Sequence, residues 1–204
     1  MSEHQHGHNR PKSPQQLRTE ALEALLTEKG LIATDAVDAV VDMFQNEVGP
    51  QNGARMVARA WVDPDYKERM LANGSAAAAE FGYGGYEGEH LRVVENRPGL
   101  HNAIVCTLCS CYPWPVLGIP PVWYKSASYR ARVVREPRAV LAEFGLELPD
   151  DTEIQVWDSS AEMRYLVLPM RPEGSEEMSE QELAELVTRD CMIGVAVPRV
   201  GVTA

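Results

Sequence analysis

Three cysteines fall within six residues, in the run Val105-Cys106-Thr107-Leu108-Cys109-Ser110-Cys111-Tyr112-Pro113-Trp114-Pro115. This C-x-x-C-x-C cluster constrains the fold more than any other feature of the chain. It follows a segment that reads as a β-strand, and it runs into a loop stiffened by Pro113, Pro115, Pro120 and Pro121. A rigid loop is a good place to hold a preorganised site. The fourth cysteine, Cys191, stands alone far along the sequence. A disulfide framework would spread its cysteines through a small secreted chain, whereas this one has 204 residues. Clustered thiols in a reducing compartment point instead to a metal site or to redox chemistry.

Charge removes whole classes of function. The 19 Lys and Arg residues stand against 30 Asp and Glu, a net charge of −11. That argues against a nucleic-acid protein, which needs a basic stripe to neutralise phosphate, and against an anionic membrane surface as partner. No apolar run approaches the roughly 20 residues that span a bilayer. The first residues lack the apolar stretch of a secretory signal, so a cytoplasmic location is the expectation. Apolar residues make up 45% of the chain, enough for a substantial core.

The first third reads as helical. Residues 1–12 are polar and carry His4, His6 and His8, which read as an incidental feature of a frayed tail. Ser13 and Gln16 form a capping box with Pro14 at the first helical position. Leu17, Ala21, Leu22, Leu25 and Leu26 then share one face, and Gly30 stops the helix. A second helix starts near Thr34, with Val37, Val40, Val41, Phe44 and Val48 on its stripe. A third carries Ala54, Val57, Ala58 and Trp61. A fourth runs from Asp63-Pro64 to Asn73-Gly74, and residues 75–81 add a further turn.

The hydrophobic period changes after the glycines at 82, 84, 85 and 88. Segments 91–94, 102–105, 153–157 and 163–170 read as strands. An arginine-rich helix over 127–143 breaks near Pro137, and Ser179 and Glu182 make a second capping box. The pattern is α+β. The expected division is a helical docking arm at 1–75 and an α/β metal-binding catalytic domain at 76–204. The helices fit either an arm on another subunit or a helical layer on the same core.

Three kinds of centre compete for the cysteines. Structural zinc wants four tetrahedral ligands, commonly from two knuckles, and the second knuckle is missing. An iron–sulfur cluster also wants four thiolates, at other spacings. The C-x-C spacing permits a different arrangement. Cys109, Cys111 and the amide nitrogens of Ser110 and Cys111 can share a plane, with Cys106 as an axial thiolate. Such a claw needs a trivalent ion, Co(III) or Fe(III), because deprotonating a backbone amide is costly. On spacing alone, zinc and the claw stay open.

The cysteine run resembles the metal-binding motif of the nitrile hydratase α subunit. Further segments resemble that family in the same order: Asn46–Pro50, Ala60–Pro64, Val122–Lys125, Arg132–Arg138, Val156–Ser160 and Met192–Val195. The resemblance runs from about residue 14 to about residue 197 and is similar, more distantly, to the γ subunit of thiocyanate hydrolase. It implies a four-layered α-β-β-α domain behind an N-terminal arm. It also implies hydration of nitriles to amides by a hydro-lyase, with one low-spin metal per chain held by Cys106, Cys109, Ser110 and Cys111. Thr107 and Tyr112 match the cobalt type, so Co(III) is expected, with Fe(III) as the alternative.

The same resemblance makes Cys109 a sulfinic acid and Cys111 a sulfenic acid, with Cys111 and Ser110 catalytic. It places Trp114 and Glu87 in the substrate pocket, though relatives often carry Gln where Glu87 stands. It sets Arg164 near the site, where an ordinary salt bridge to Asp158 or Glu162 would serve equally well. Cys191, His90 and His101 are expected to be no ligands, and Arg130, Arg132, Arg135 and Arg138 to form a solvated face, with partner contacts as the alternative. The implied partners are a β subunit in an αβ heterodimer or α2β2 assembly, a cobalt-inserting activator protein and a small nitrile. Thiocyanate hydrolysis and a zinc-stabilised binding module are the rival functions.

Overall fold

A computed structural model describes residues 13–42, 49–84, 90–109 and 111–201. The histidine tract, Phe44 and Val48 of the second stripe, Glu87 and Ser110 lie outside the described residues.

The chain divides into two compact units, residues 1–43 and 44–204. In the first, helix α1 covers Pro14–Glu28 and helix α2 covers Thr34–Asp42. Ser13 and Gln16 form the expected capping box at the start of α1. The helix buries none of its residues, and Leu17, Leu22 and Leu25 are exposed.

The second unit opens with three helices in close succession. They are α3 (Pro50–Val62), α4 (Pro64–Ala72) and α5 (Gly74–Glu80). Pro50 and Pro64 sit at first helical positions, where a missing N–H costs nothing. Asp63 caps α4 and Asn73 caps α5, each accepting a backbone N–H three residues on. Their buried side chains, among them Met56, Val57, Tyr66, Met70 and Ala77, join one core with the strands. The division by contacts falls at 43/44. The change of hydrophobic period marks where strands begin, whereas α3–α5 already pack on those strands.

Four strands form two small parallel sheets: β1 (Leu91–Glu95) with β4 (Arg164–Leu168), and β2 (Leu100–Val105) with β3 (Glu153–Asp158). Helices α4 and α5 pack on β1, the two sheets pack on each other, and α8 (Pro137–Glu143) packs on β3. This is the expected α-β-β-α order. Strands β2 and β4 are buried on nearly every residue. Parallel strands covered on both faces read as apolar runs rather than as alternation. For that reason parity does not delimit β4, which spans 164–168 within the expected 163–170.

The arginine-rich segment breaks as expected, into α7 (Ala127–Arg132) and α8, with Pro137 at a first helical position. Three short helices complete the fold: α6 (Trp114–Leu117), α9 (Glu180–Glu185) and α10 (Arg189–Ile193). Of these, α10 left no periodic signal, being only one turn and a half long.

Two of the glycines dictated by packing border the strands. A Cβ on Gly74 would stand 2.6 Å from the Leu91 carbonyl oxygen, where α5 abuts β1. Gly194 ends α10 with φ +92°, and a Cβ there would lie 2.1 Å from the Asn102 carbonyl oxygen. Gly194 also accepts a 2.8 Å hydrogen bond from Nε2 of buried His101, whose Nδ1 faces the Asn96 amide at 3.2 Å. His101 therefore belongs to the core network that ties β2 to α10, and burial holds its pKa below the ordinary value.

Candidate metal centre

Strand β2 ends at Val105, and Cys106 is the next residue, fully buried beneath the loop it opens. Cys109 is exposed and Cys111 half-buried. The Cys109 Sγ lies 3.1 Å from the Cys106 Sγ and 3.0 Å from the Cys111 Sγ. All three sulfurs fall within 4.8 Å of one another.

These distances discriminate. A disulfide bond measures about 2.05 Å, and no disulfide joins the four cysteines. Two sulfurs on a tetrahedral ion with bonds of about 2.3 Å stand about 3.8 Å apart. Two sulfurs at right angles on an octahedral ion, at the same bond length, stand about 3.3 Å apart. Both observed spacings are shorter than either figure and longer than a disulfide, and the donor set of three soft thiolates suits a transition metal. A four-cornered zinc site lacks a fourth sulfur, since Cys191 is not in the group. That thiol is buried in α10, with its Sγ 3.2 Å from the Thr188 hydroxyl.

Burial pushes the Cys111 thiol up to about 12; the hydrogen bond with Cys109 and the nearness of Cys106 add to this, and the positive charge of Arg164 opposes it. Burial and the neighbouring thiols together disfavour the charged form of Cys111. A cation between them reverses that preference.

The loop is held from several sides. Asp158, last in β3, pairs in register with Val105. Its carboxylate accepts the Thr107 backbone N–H at 2.9 Å and the Thr107 hydroxyl at 2.6 Å. Tyr124 lies in a 3-10 turn over Val122–Lys125 and donates its hydroxyl to the Cys111 carbonyl at 3.0 Å. Tyr112 is buried edge-on against Tyr124, with ring centroids 5.1 Å apart. Asn52 of α3 donates its amide to the Pro115 carbonyl at 3.0 Å, anchoring the proline segment.

Arg164, buried at the start of β4, donates to the Ser160 carbonyl and acts electrostatically on Cys111. Trp114 opens α6 and packs partly buried against the core. His90 is exposed beside β1. The other arginines divide. Arg132 pairs with Glu136 and Glu143, and Arg138 donates to the carbonyls of Leu148, Pro149 and Thr152. Arg130 is no part of a solvated face, since it reaches the cysteine loop.

Sequence reasoning singled out the cysteines but passed over Asn52, Tyr124, Arg130 and Asp158 as site residues. Tyr124 and Asp158 lie in the segments Val122–Lys125 and Val156–Ser160, which carried the resemblance. That was the one signal available, because their contacts depend on strand register and on a turn thirteen residues away.

The sequence profile of the family described as nitrile hydratase, alpha chain, matches residues 13–196. The low-molecular weight cobalt-containing nitrile hydratase subunit alpha of Rhodococcus rhodochrous is 58% identical over 190 residues, covering 92% of each chain. Thiocyanate hydrolase subunit gamma of Thiobacillus thioparus is 46% identical over 194 residues, 90% of this chain and 79% of that one. Among solved structures, a double mutant of Fe-type nitrile hydratase from Comamonas testosteroni Ni1 aligns with a TM-score of 0.86 at 44% identity, over 94% of each chain.

Proposed function

The chain belongs to the nitrile hydratase α-chain family, and from that premise we propose that it hydrates nitriles to amides at a cobalt centre held by Cys106, Cys109 and Cys111. The observation that carries this reading is the convergence of three sulfurs within 4.8 Å of one another on one loop. The backbone nitrogens of Ser110 and Cys111 complete the ligand set, and one Co(III) is held per chain. When bound, the ion supplies Lewis acidity toward the nitrile or toward water.

The thiols of Cys109 and Cys111 lie at the open edge and take up oxygen. A thiolate that accepts both atoms of dioxygen becomes a sulfinate, the state proposed for Cys109. A thiolate that accepts one atom of peroxide, with the other leaving as water, becomes a sulfenate, the state proposed for Cys111. Cys106 is sealed beneath the loop and stays a thiolate.

In the reaction R–C≡N + H₂O → R–CO–NH₂, the Cys111 oxyanion either removes a proton from the attacking water or attacks the nitrile carbon itself. Arg164 offsets negative charge at Cys111. Trp114 and Glu87 line the pocket that receives the substrate.

The active unit includes a β subunit, as an αβ heterodimer or α2β2. Two exposures support a covering partner. Leu108, within the cysteine loop, is 90% exposed, and Val122, two residues before Tyr124, is 87% exposed. Helices α1 and α2 form the docking arm, because α1 leaves its leucines in solvent. Short helices gain most of their stability from packing an apolar face. An activator protein loads the cobalt, since a low-spin trivalent ion exchanges ligands slowly. The enzyme works in the cytoplasm; no helix among the described residues is long and apolar enough to cross a membrane.

The test is co-expression with the β chain in cobalt medium, followed by assay with a simple nitrile and with thiocyanate. Amide formation with no thiocyanate turnover is the expected result. The higher identity to the cobalt nitrile hydratase chain than to the thiocyanate hydrolase chain supports that order.

A further inference from the structure

We infer that Arg130 is a positioning residue of the metal loop, which its guanidinium holds in ligand-ready shape by bridging two backbone carbonyls. The inference rests on the proposal that Cys106, Cys109 and Cys111 bind the metal.

The loop has little packing of its own. Leu108 at its tip is 90% exposed and Cys109 is exposed. No burial of an apolar side chain at the tip fixes its shape, so the shape must come from its backbone contacts. Thr107 is tethered by Asp158 and the Cys111 carbonyl by Tyr124. Between these anchors, Nη1 of Arg130 lies 3.4 Å from the Thr107 carbonyl oxygen and 3.4 Å from the Cys109 carbonyl oxygen. One nitrogen thus spans the tip, touching the residues on either side of Leu108. The contacts are long, and each alone is weak. A charged donor serving two acceptors adds strength that a neutral one lacks.

The base from which Arg130 reaches is rigid. Ser126 caps α7 by accepting the Tyr129 N–H. The neighbouring Tyr129 is 5% exposed, and its hydroxyl donates at 2.7 Å to the carbonyl of Ile104 in β2. Its ring packs edge-on against Trp123. Helix α7 is thereby locked to the same strand that delivers Cys106. Among the described residues the buried Nε of Arg130 has no hydrogen-bond partner, and its Nη1 contacts go to the loop.

The second carbonyl matters most. A peptide group is planar, so holding the Cys109 carbonyl holds the whole peptide that joins Cys109 to Ser110. The nitrogen of that peptide is one of the proposed ligands. Arginine suits the task better than lysine, because its planar fork is preorganised and loses less freedom per contact.

The test compares the wild-type complex with Arg130→Met, Arg130→Lys and Cys109→Ala, each co-expressed with the β chain in cobalt medium. Cobalt per chain, the visible absorption of the cobalt centre and the rate of cobalt loss to a chelator are read beside the circular-dichroism melt. Arg130→Met is expected to fold, to show a shifted or weakened absorption band and to lose cobalt about 10-fold faster, as other residues that orient ligands do. Arg130→Lys is expected to fall between it and wild type. Wild-type absorption and chelator resistance in Arg130→Met would overturn the inference. Should Arg130→Met not fold, wild-type behaviour of Arg130→Lys would overturn it, since a point charge cannot reproduce the bridge. Full cobalt retention in Cys109→Ala would overturn the ligand assignment itself, a failure distinguishable from that of Arg130 alone.

Discussion

The carboxylate of Asp158 accepts two hydrogen bonds from Thr107, one from its backbone N–H at 2.9 Å and one from its hydroxyl at 2.6 Å. Asp158 ends β3 opposite Val105, which ends β2, so the register of one parallel pair places the anchor of the cysteine loop. Asp158 is exposed, and solvent weakens what the pair contributes. Asp158→Ala should cost about 1 kcal/mol, or about 2–4 °C of melting temperature at this chain length. Thr107→Val removes only the hydroxyl contact and should cost less. Thermal melts of the two variants check the order; equal melts for Asp158→Ala and wild type would show that the anchor is idle.

The thiols should differ in reactivity before metal is loaded. In the metal-free protein Cys109 is exposed, Cys111 half-buried, and Cys106 and Cys191 buried. A thiolate-selective alkylating reagent should label Cys109 first and leave Cys106 and Cys191 untouched without denaturant. Labelling of Cys111 should rise steadily as pH climbs toward 12, because burial raises its pKa. Peptide mapping after timed quenches reads both. Early labelling of Cys106 would contradict its burial beneath the loop.

His101 makes stability depend on pH with a definite sign. Its folded pKa is depressed by burial, so below about pH 6.5 the unfolded chain takes up a proton that the folded chain refuses. The stability it contributes is complete above that pH and is lost as pH falls from there through the lower folded pKa. The slope cannot exceed about 1.4 kcal/mol per pH unit for one group. Urea unfolding between pH 7.5 and pH 6 should show this decline, and His101→Gln should flatten it.

Gly194→Ala should be severely destabilising. The residue holds φ +92°, where a side chain is strained by about 1–2 kcal/mol. The added Cβ would also strike the Asn102 carbonyl oxygen at 2.1 Å. The backbone of β2 would have to shift, and the His101 bond to Gly194 with it. A loss above about 3 kcal/mol is expected, since this combines strain with a core clash. A near-wild-type denaturation midpoint would contradict the packing described for α10.

Much of this molecule was legible before its fold was known, for identifiable reasons. The capping boxes at Ser13–Gln16 and Ser179–Glu182 are local, so spacing alone found them. The cysteine cluster is local too. What spacing could not supply were contacts set by register or by distant turns, such as Asp158 to Thr107, Tyr124 to Cys111 and Arg130 to Cys109. Arg130 shows the difficulty well. By sequence it is one of four similar arginines, and its reach to the loop shows only in the packing of α7, whose Tyr129 bonds Ile104. The change from helical to strand period near residue 75 marks a change of element, while α3–α5 share a core with the strands.

The central claim is that Cys106, Cys109 and Cys111 hold one cobalt and are oxidised unequally. Fragment mass spectrometry of the peptide spanning these residues, taken from the active cobalt-loaded complex, tests it most directly. The account predicts two added oxygens on Cys109, one on Cys111 and none on Cys106 or Cys191, appearing only after cobalt is loaded. Three unmodified thiols in fully active protein, or oxygens placed on Cys106, would contradict it.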